Sequence, residues 1–368
     1  MRSIKYILLF CLAFAFMGCY EDELNPTSIF QDSTVQQNDF DKWLEKNYTD
    51  TYNIKFNYKY EDIESDMDHN LIPADMTKSI VMAKLVKDLW LDSYAELNAD
   101  VDPDFMNKYA PRVMQLIGSA AWEDDGSRVL GQAEGGLKIT LYEINNINPA
   151  NISIEAMNDL WFHTIHHEFG HILQQTKPYT TEFAEVSAGS YTSSGWTNLS
   201  DTEALRLGFI SNYASMEYNE DFVEILSLYV VNTSEWWQNQ LAIAKETKVT
   251  KAEFDAYTDT DGVKEIRTVA GPDETEYYIK FEDSYESKVS QEVYDAYEGT
   301  GEKLTRVVSS TIDEYYIVYN GDQKILAKWQ MIEDYLTKSW GFSMVDLHDI
   351  VQRRESEISS LDLTSLTD

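Results

Sequence analysis

The chain has 368 residues, 43% of them hydrophobic, with 64 acidic side chains against 29 basic ones and a formal net charge of −35. That balance excludes nucleic acid as a partner, and it excludes docking through a basic patch on anionic lipid. Length and apolar share suffice for a substantial core, in one large domain or two lobes.

At the N-terminus, Arg2 and Lys5 precede an apolar run from Ile7 to Met17, which Gly18-Cys19 closes. The run is too short to span a bilayer and has the layout of an export signal. Phe16-Met17-Gly18-Cys19 resembles a bacterial lipobox, with Phe where Leu is commoner. Removal of a signal peptide 1–18 would leave Cys19 lipidated, so that the chain meets a membrane through a lipid anchor only. Of the two cysteines, Cys11 leaves with the signal and Cys19 carries lipid, so neither a disulfide nor a thiolate zinc ligand is expected. Residues 19–40 are polar and acidic and read as a tether.

Ile54 to Tyr58 alternates like a strand. After Pro73, residues 74–97 place Met82, Leu85, Val86 and Leu89 at helical spacing. Val113 to Trp122 and Ser127 to Gly131, around a turn at Asp125-Gly126, read as a hairpin. Gly135-Gly136 then opens a strand, Leu137 to Ile144. In it Leu137, Ile139 and Leu141 face one way, and Lys138, Thr140 and Tyr142 the other.

The next element, a helix expected over about 153–175, carries the chemistry. His167-Glu168-Phe169-Gly170-His171 is a complete H-E-x-x-H motif. Residues four apart share one helix face, so His167 and His171 can aim two imidazoles at one ion, with Glu168 beside it to take a proton from water. Ile165, Phe169, Ile172 and Leu173 make the helix too apolar for a solvated charge run. His163 falls on the same stripe one turn earlier and is expected to support the site or pack in the core.

A catalytic zinc needs a third protein ligand and leaves its fourth position to water. Gln174 and Lys177 stand where the long metzincin motif has Gly and a third His, which excludes that pattern. Further on, Glu220 and Glu224 are again four apart on an amphipathic segment. The first can complete the site and the second can orient a ligand histidine. Glu182, Glu185, Glu217 and Asp221 compete as third ligand. Glu217 and Asp221 lie off the Glu220/Glu224 stripe, and Glu185 would need a short, tight return.

H-E-x-x-H followed by Asn219-Glu220-Asp221-Phe222-Val223-Glu224 resembles the gluzincins, which implies Glu220 as third zinc ligand and Glu224 as the acid behind the ligands. Tyr213, seven residues before Glu220, resembles the tyrosine that anthrax lethal factor-type gluzincins place over the substrate oxyanion. Tyr20-Glu21-Asp22-Glu23 resembles the acidic export tag of Bacteroidetes-type lipoproteins. Residues 118–145, 166–175, 208–225 and 324–354 are similar to the substrate import-associated zinc metallohydrolase lipoproteins of Bacteroidetes. That resemblance implies a cell-surface-exposed outer-membrane lipoprotein, encoded beside TonB-dependent nutrient importers, that uses Zn²⁺ to cleave a peptide or protein substrate. It also implies an α+β, zincin-like fold over 41–245. A small mixed sheet and helices would form the N-terminal lobe, and the C-terminal lobe would be mainly helical. In such folds the strand before the active-site helix is the sheet edge that pairs with extended substrate, which makes Leu137 to Ile144 the candidate edge, with an ordinary half-buried strand as the other reading.

Residues 246–323 fall outside these matches and hold an internal repeat. Residues 252–282 align with 291–320, anchored on Asp255-Ala256-Tyr257 and Asp295-Ala296-Tyr297. Each copy reads as two or three short strands. Asp259 to Gly262 is a turn and not a calcium loop, because Tyr257 and Thr268 fall at positions that must ligate. The block is either a binding appendage or a tolerated β-rich insertion. Helices over 324–356 should pack back on the catalytic core.

The expected function is thus a zinc metallopeptidase with Glu168 and Tyr213 as catalytic groups and His167, His171 and Glu220 on the metal. One alternative is a non-catalytic lipoprotein with structural zinc that binds peptides or an importer. The other is a zinc amidase acting on glycan or peptidoglycan fragments.

Overall fold

The strands at 55–57, 113–116 and 138–141 bury side chains on both of their faces. The computed structural model describes residues 36–60, 71–122, 128–129, 131–134, 136–259, 261–281 and 285–366. The lipobox with Cys19, the acidic run behind it, nearly all of the tether, Gly135 and the Asp125-Gly126 turn lie outside them. The chain divides into a unit of residues 1–42 and a unit of residues 43–368. In the first, Asn38 and Asp41 cap each other: the Asn38 N–H donates to Asp41 Oδ2 at 3.0 Å, and the Asp41 N–H to Asn38 Oδ1 at 2.8 Å.

All that follows concerns the second unit. Its first strands are Lys55–Asn57 (β1), Val113–Leu116 (β2), Ala121–Trp122 (β3), Arg128–Val129 (β4), Gly131–Glu134 (β5) and Lys138–Leu141 (β6). β1, β2 and β6 are parallel, with Lys55 opposite Val113 and Val113 opposite Lys138. β5 runs antiparallel to β6, so the sheet order is β1-β2-β6-β5.

Two expectations are corrected here. The strand at Leu137 to Ile144 is not an edge: β6 lies between β2 and β5, and β5 is the edge on that side. Alternation misled because a parallel neighbour requires both faces to be covered. Thr140 and Tyr142 are buried along with Ile139 and Leu141, while Leu137 is exposed before the strand begins. The expected hairpin also splits. β3 pairs with β4, but β2 leaves them to join the parallel sheet.

The helix expected over 74–97 runs as Met76–Val86, a π-helical stretch Lys87–Leu91, and Asp92–Leu97. Asp75 starts it by accepting the Lys78 N–H. The histidine helix has the same build: Ile154–Met157, a π-helical stretch Asn158–Phe162, then His163–Thr176. Ser153 caps it, Trp161 ties it to β6 through the Tyr142 carbonyl at 2.7 Å, and Pro178 follows its end. The Tyr335 hydroxyl donates to the late carbonyls of Leu173 and Lys177 at 2.9 and 2.6 Å.

The second acidic helix, Tyr218–Val231, lies against the histidine helix. Gly170 sets how near: a Cβ there would come within 2.9 Å of Val223 Cγ1. Any side chain would push the two helices apart. Gly321–Tyr335 and Met344–Glu357 pack on Tyr218–Val231. Lys328 on the first of them reaches Asp221 Oδ2 at 2.6 Å, with both side chains fully buried. The Tyr191 hydroxyl donates to the same oxygen at 2.9 Å.

Met344–Glu357 also carries a strained titration. Burial pushes the Glu355 carboxyl up to about 7, against hydrogen bonds from Asn158 and Gln352 that lower it. With a folded pKa above the ordinary 4.5, the protonated form is favoured on folding. The resulting stabilisation is complete below the unfolded pKa and is lost as pH rises through about 7. Glu355→Gln should therefore gain about 1–3 kcal/mol at about pH 8, and the gain should vanish near pH 4 in paired thermal melts.

The repeat block contains Glu246–Val249 (β7), Val263–Ala270 (β8), Glu274–Lys280 (β9), Glu286–Val289 (β10), Glu302–Val308 (β11) and Thr311–Val318 (β12). Each copy thus has three strands and also a short helix, Lys251–Ala256 or Gln291–Ala296, which the sequence reading missed. The signals were present: Thr250 and Glu253 form a capping box, and Ser290 caps the second helix. At the expected turn the Asp261 N–H donates to Asp259 Oδ1 at 2.9 Å; Thr260, within it, lies outside the described residues. The last strands are exchanged. β12 lies between β7 and β8 of the first copy, and β9 between β10 and β11 of the second. Phe254 accordingly packs on Tyr315, and Tyr294 on Tyr277, at 5.1 and 5.0 Å between ring centroids.

Candidate metal centre

The histidine helix sorts its four histidines by face. His166 points into the core, fully buried, with Nδ1 at 3.2 Å from the Tyr94 hydroxyl. Burial, with a smaller effect from His163, lowers its pKa to about 3, so it is a neutral packed residue. His163, His167 and His171 share the opposite stripe and meet the acidic helix.

His167 Nε2 and His171 Nε2 lie 3.1 and 3.3 Å from one oxygen, Glu220 Oε2. Tetrahedral zinc bonded at about 2.0–2.1 Å to nitrogen and oxygen separates its ligand atoms by about 3.3 Å. The N, N, O donor set and its spacing therefore fit zinc. Among the described residues, one other group of three, His163, His167 and Glu224, has comparable spacing. There the atoms are joined by hydrogen bonds instead: Glu224 Oε1 is 2.8 Å from both His163 Nε2 and His167 Nδ1. With its Nδ1–H committed to Glu224, His167 keeps the Nε2 lone pair for a metal.

Ser211 completes the grip on Glu224, donating its hydroxyl to Oε2 at 2.5 Å. Burial alone would raise the Glu224 carboxyl, but His163 and His167 outweigh it and hold it well below its ordinary range. Burial likewise opposes the charged form at Glu220 and His167. Their mutual hydrogen bonds prevail, bringing Glu220 down to about 2 and His167 up to about 10. The carboxylates thus favour a positive charge beside them.

Glu168 and His171 open onto a cavity of 320 Å³ that Gly136, Gln174, Glu217 and Glu220 also line. Burial pushes the Glu168 carboxyl up, while His167 and His171 pull it back. Tyr213 lies in a short 3₁₀ turn, its ring 5.9 Å from that of His167 and edge-on to Trp196 at 5.0 Å. Burial, then the charges of Glu220, Glu224 and Glu168, raise its pKa, so its hydroxyl keeps its proton.

The residues expected to form the centre are thus brought together; Cys19, expected to carry lipid, lies outside the described residues. The rival ligands are not. Asp221 is committed to Lys328, and neither Glu182, Glu185 nor Glu217 joins a metal-capable group among the described residues. Sequence reasoning missed Ser211, Gly170 and Gln174. Only Gln174 had a signal, since it lies three residues after His171 on the same face.

The profile of a family described as "putative zinc-binding metallo-peptidase" matches residues 33–270. Among solved structures, the crystal structure of "a putative zinc-binding metallo-peptidase" from Bacteroides caccae matches with a TM-score of 0.62 and 32% identity, covering 92% of this chain and 100% of that one. No curated protein matches the chain.

Proposed function

The chain belongs to this zinc-binding metallo-peptidase family, and from that premise we propose a gluzincin-type peptidase that hydrolyses amide bonds of peptides or proteins at the cell surface. One observation carries the reading: three donor atoms are spaced for zinc, and two of their residues, His171 and Glu220, line a cavity that also holds Glu168. A purely structural site would close with a fourth protein ligand and would need no base.

His167, His171 and Glu220 would hold the zinc. When bound, zinc supplies the Lewis acidity that polarises a carbonyl and lowers the pKa of water to about 7. Glu168 takes the proton of the attacking water on its carboxylate and returns it to the leaving nitrogen. Tyr213 donates its hydroxyl proton to the developing oxyanion, a bond of the kind whose loss elsewhere costs roughly 3–4 kcal/mol. Glu224, braced by His163 and Ser211, holds His167 in the tautomer that presents Nε2. Among the described residues β5 is the outermost strand on its side, and its edge can pair with an extended peptide backbone.

The surface location rests on the sequence: an export signal, Cys19 as lipid acceptor, and the acidic residues behind it. No helix among the described residues is long and apolar enough to cross a membrane. An outer-membrane nutrient importer is the partner this reading places beside it.

The test is a cleavage screen of purified, zinc-loaded protein against peptide and glycan-amide libraries. Peptides should be cut, a chelator should stop cutting, and zinc should restore it. Cleavage of glycan amides alone would turn the reading to an amidase, and bound zinc without any cleavage would reduce it to a binding lipoprotein.

A further inference from the structure

Two cavities meet at Gln174 and Asn219. One is the 320 Å³ cleft with Glu168, His171 and Glu220. The other, of 250 Å³, is bounded by Pro178, Tyr179, Thr181, Ala184 and Tyr218, with no carboxylate and no cationic side chain in its wall. The adjoining cleft presents Glu168, Glu217 and Glu220, in a chain of net charge −35, so an uncharged wall beside it is a local exception. The wall is also rigid. The Tyr179 ring packs on Phe222 at 4.4 Å and edge-on to Phe183 at 5.5 Å, and its hydroxyl donates to Asn219 Oδ1 at 3.0 Å. Tyr218, two residues before Glu220, is left 45% exposed. Preformed apolar walls next to polar groups are the usual anatomy of a ligand pocket.

Gln174 is an independent pointer. Its side chain is only 6% exposed; its amide nitrogen Nε2 lies 2.6 Å from His171 Nδ1, and its oxygen Oε1 has no partner. If His171 presents Nε2 to a metal, Nδ1 carries the proton and needs an acceptor. To accept from it the amide must turn over, so that Oε1 faces His171 and the NH₂ group takes the place without a partner. In that orientation a buried donor is left without a partner where the two cavities join, and it calls for a carbonyl from the ligand.

We propose that the second cavity receives the side chain of the residue beside the scissile amide, while the Gln174 NH₂ bonds that residue's backbone carbonyl. The preferred substrates are then peptides with a bulky aliphatic or aromatic residue at that point. This rests on the peptidase reading above. It does not depend on which bond of a given protein is cut.

The experiment compares peptides that differ only in Gly, Leu or Phe at one scanned position, on wild type and on two cavity-filling variants, Ala184→Phe and Thr181→Phe. Wild type should favour Leu or Phe by about 10-fold or more in kcat/KM. Either variant should bring the ratio near unity while still cutting the Gly peptide. A second readout uses zinc-loaded Glu168→Gln, on which uncut Leu and Gly peptides should show the same preference in Kd by calorimetry. Peptide cleavage with no preference, or with a preference both variants retain, overturns the pocket and leaves the peptidase standing. Preferential binding to the Glu168→Gln protein without cleavage by wild type overturns the peptidase reading and leaves the pocket.

Discussion

Glu168→Gln is expected to retain zinc and to lose about 10²- to 10⁴-fold in kcat/KM, the range that general-base catalysis contributes. The ligand atoms belong to His167, His171 and Glu220, so an isosteric amide at position 168 leaves the donor set whole. What disappears is the acceptor for the proton of water. The pH profile gives a second check. Burial raises the Glu168 carboxyl above its ordinary range, and only its ionised form can act as base. Wild-type activity should therefore fall as pH drops through that raised pKa, and the variant should lack this acid limb. Zinc analysis alongside initial rates measures both; a variant as active as wild type would remove Glu168 from the reaction.

The second large effect concerns stability. Lys328 and Asp221 form an ion pair with no solvent exposure, and Asp221 Oδ1 has no hydrogen-bond partner of its own. Lys328→Met would leave Asp221 buried with only the Tyr191 hydroxyl beside it, at a cost of about 3–5 kcal/mol near neutral pH. Burial already pushes the Asp221 carboxyl up, and loss of the ammonium pushes it further. A carboxyl with a raised folded pKa is least penalised when protonated, so the deficit should shrink as pH falls. Denaturant unfolding of metal-free protein at two pH values measures it. The double variant with Asp221→Asn should recover much of the loss, because the uncompensated charge is gone. Asp221 follows Glu220 directly, so zinc affinity should fall together with stability in the single variant.

The centre was legible in sequence because its parts are local. Spacing of four residues places His167 with His171, and Glu220 with Glu224, whatever the rest of the chain does. Bringing the two helices together depends on Gly170, whose role shows only once Val223 is seen against it. Ser211 was hidden for a similar reason: a lone serine thirteen residues before Glu224 carries no periodic signal, yet its hydroxyl fixes that carboxylate.

Strand order was less legible, since pairing joins distant segments. Alternation along Leu137 to Tyr142 gives a strand but does not reveal that β2 lies on one side of it and β5 on the other. The internal repeat was visible from Asp255-Ala256-Tyr257 and Asp295-Ala296-Tyr297. The exchange of final strands was not, because two equivalent copies offer equivalent partners and sequence cannot choose between them.

That exchange bears on how the protein is made. β7 and β8 emerge from the ribosome long before β12, the strand that must lie between them, with Val249 waiting for Tyr315 and Ala270 for Thr311. Until then β7 and β8 keep unpaired edges, so their sheet closes only after all strands of the β10-β9-β11 sheet have been made, and translation stalled before residue 311 would leave a segment open to proteolysis and to misassembly with neighbouring chains.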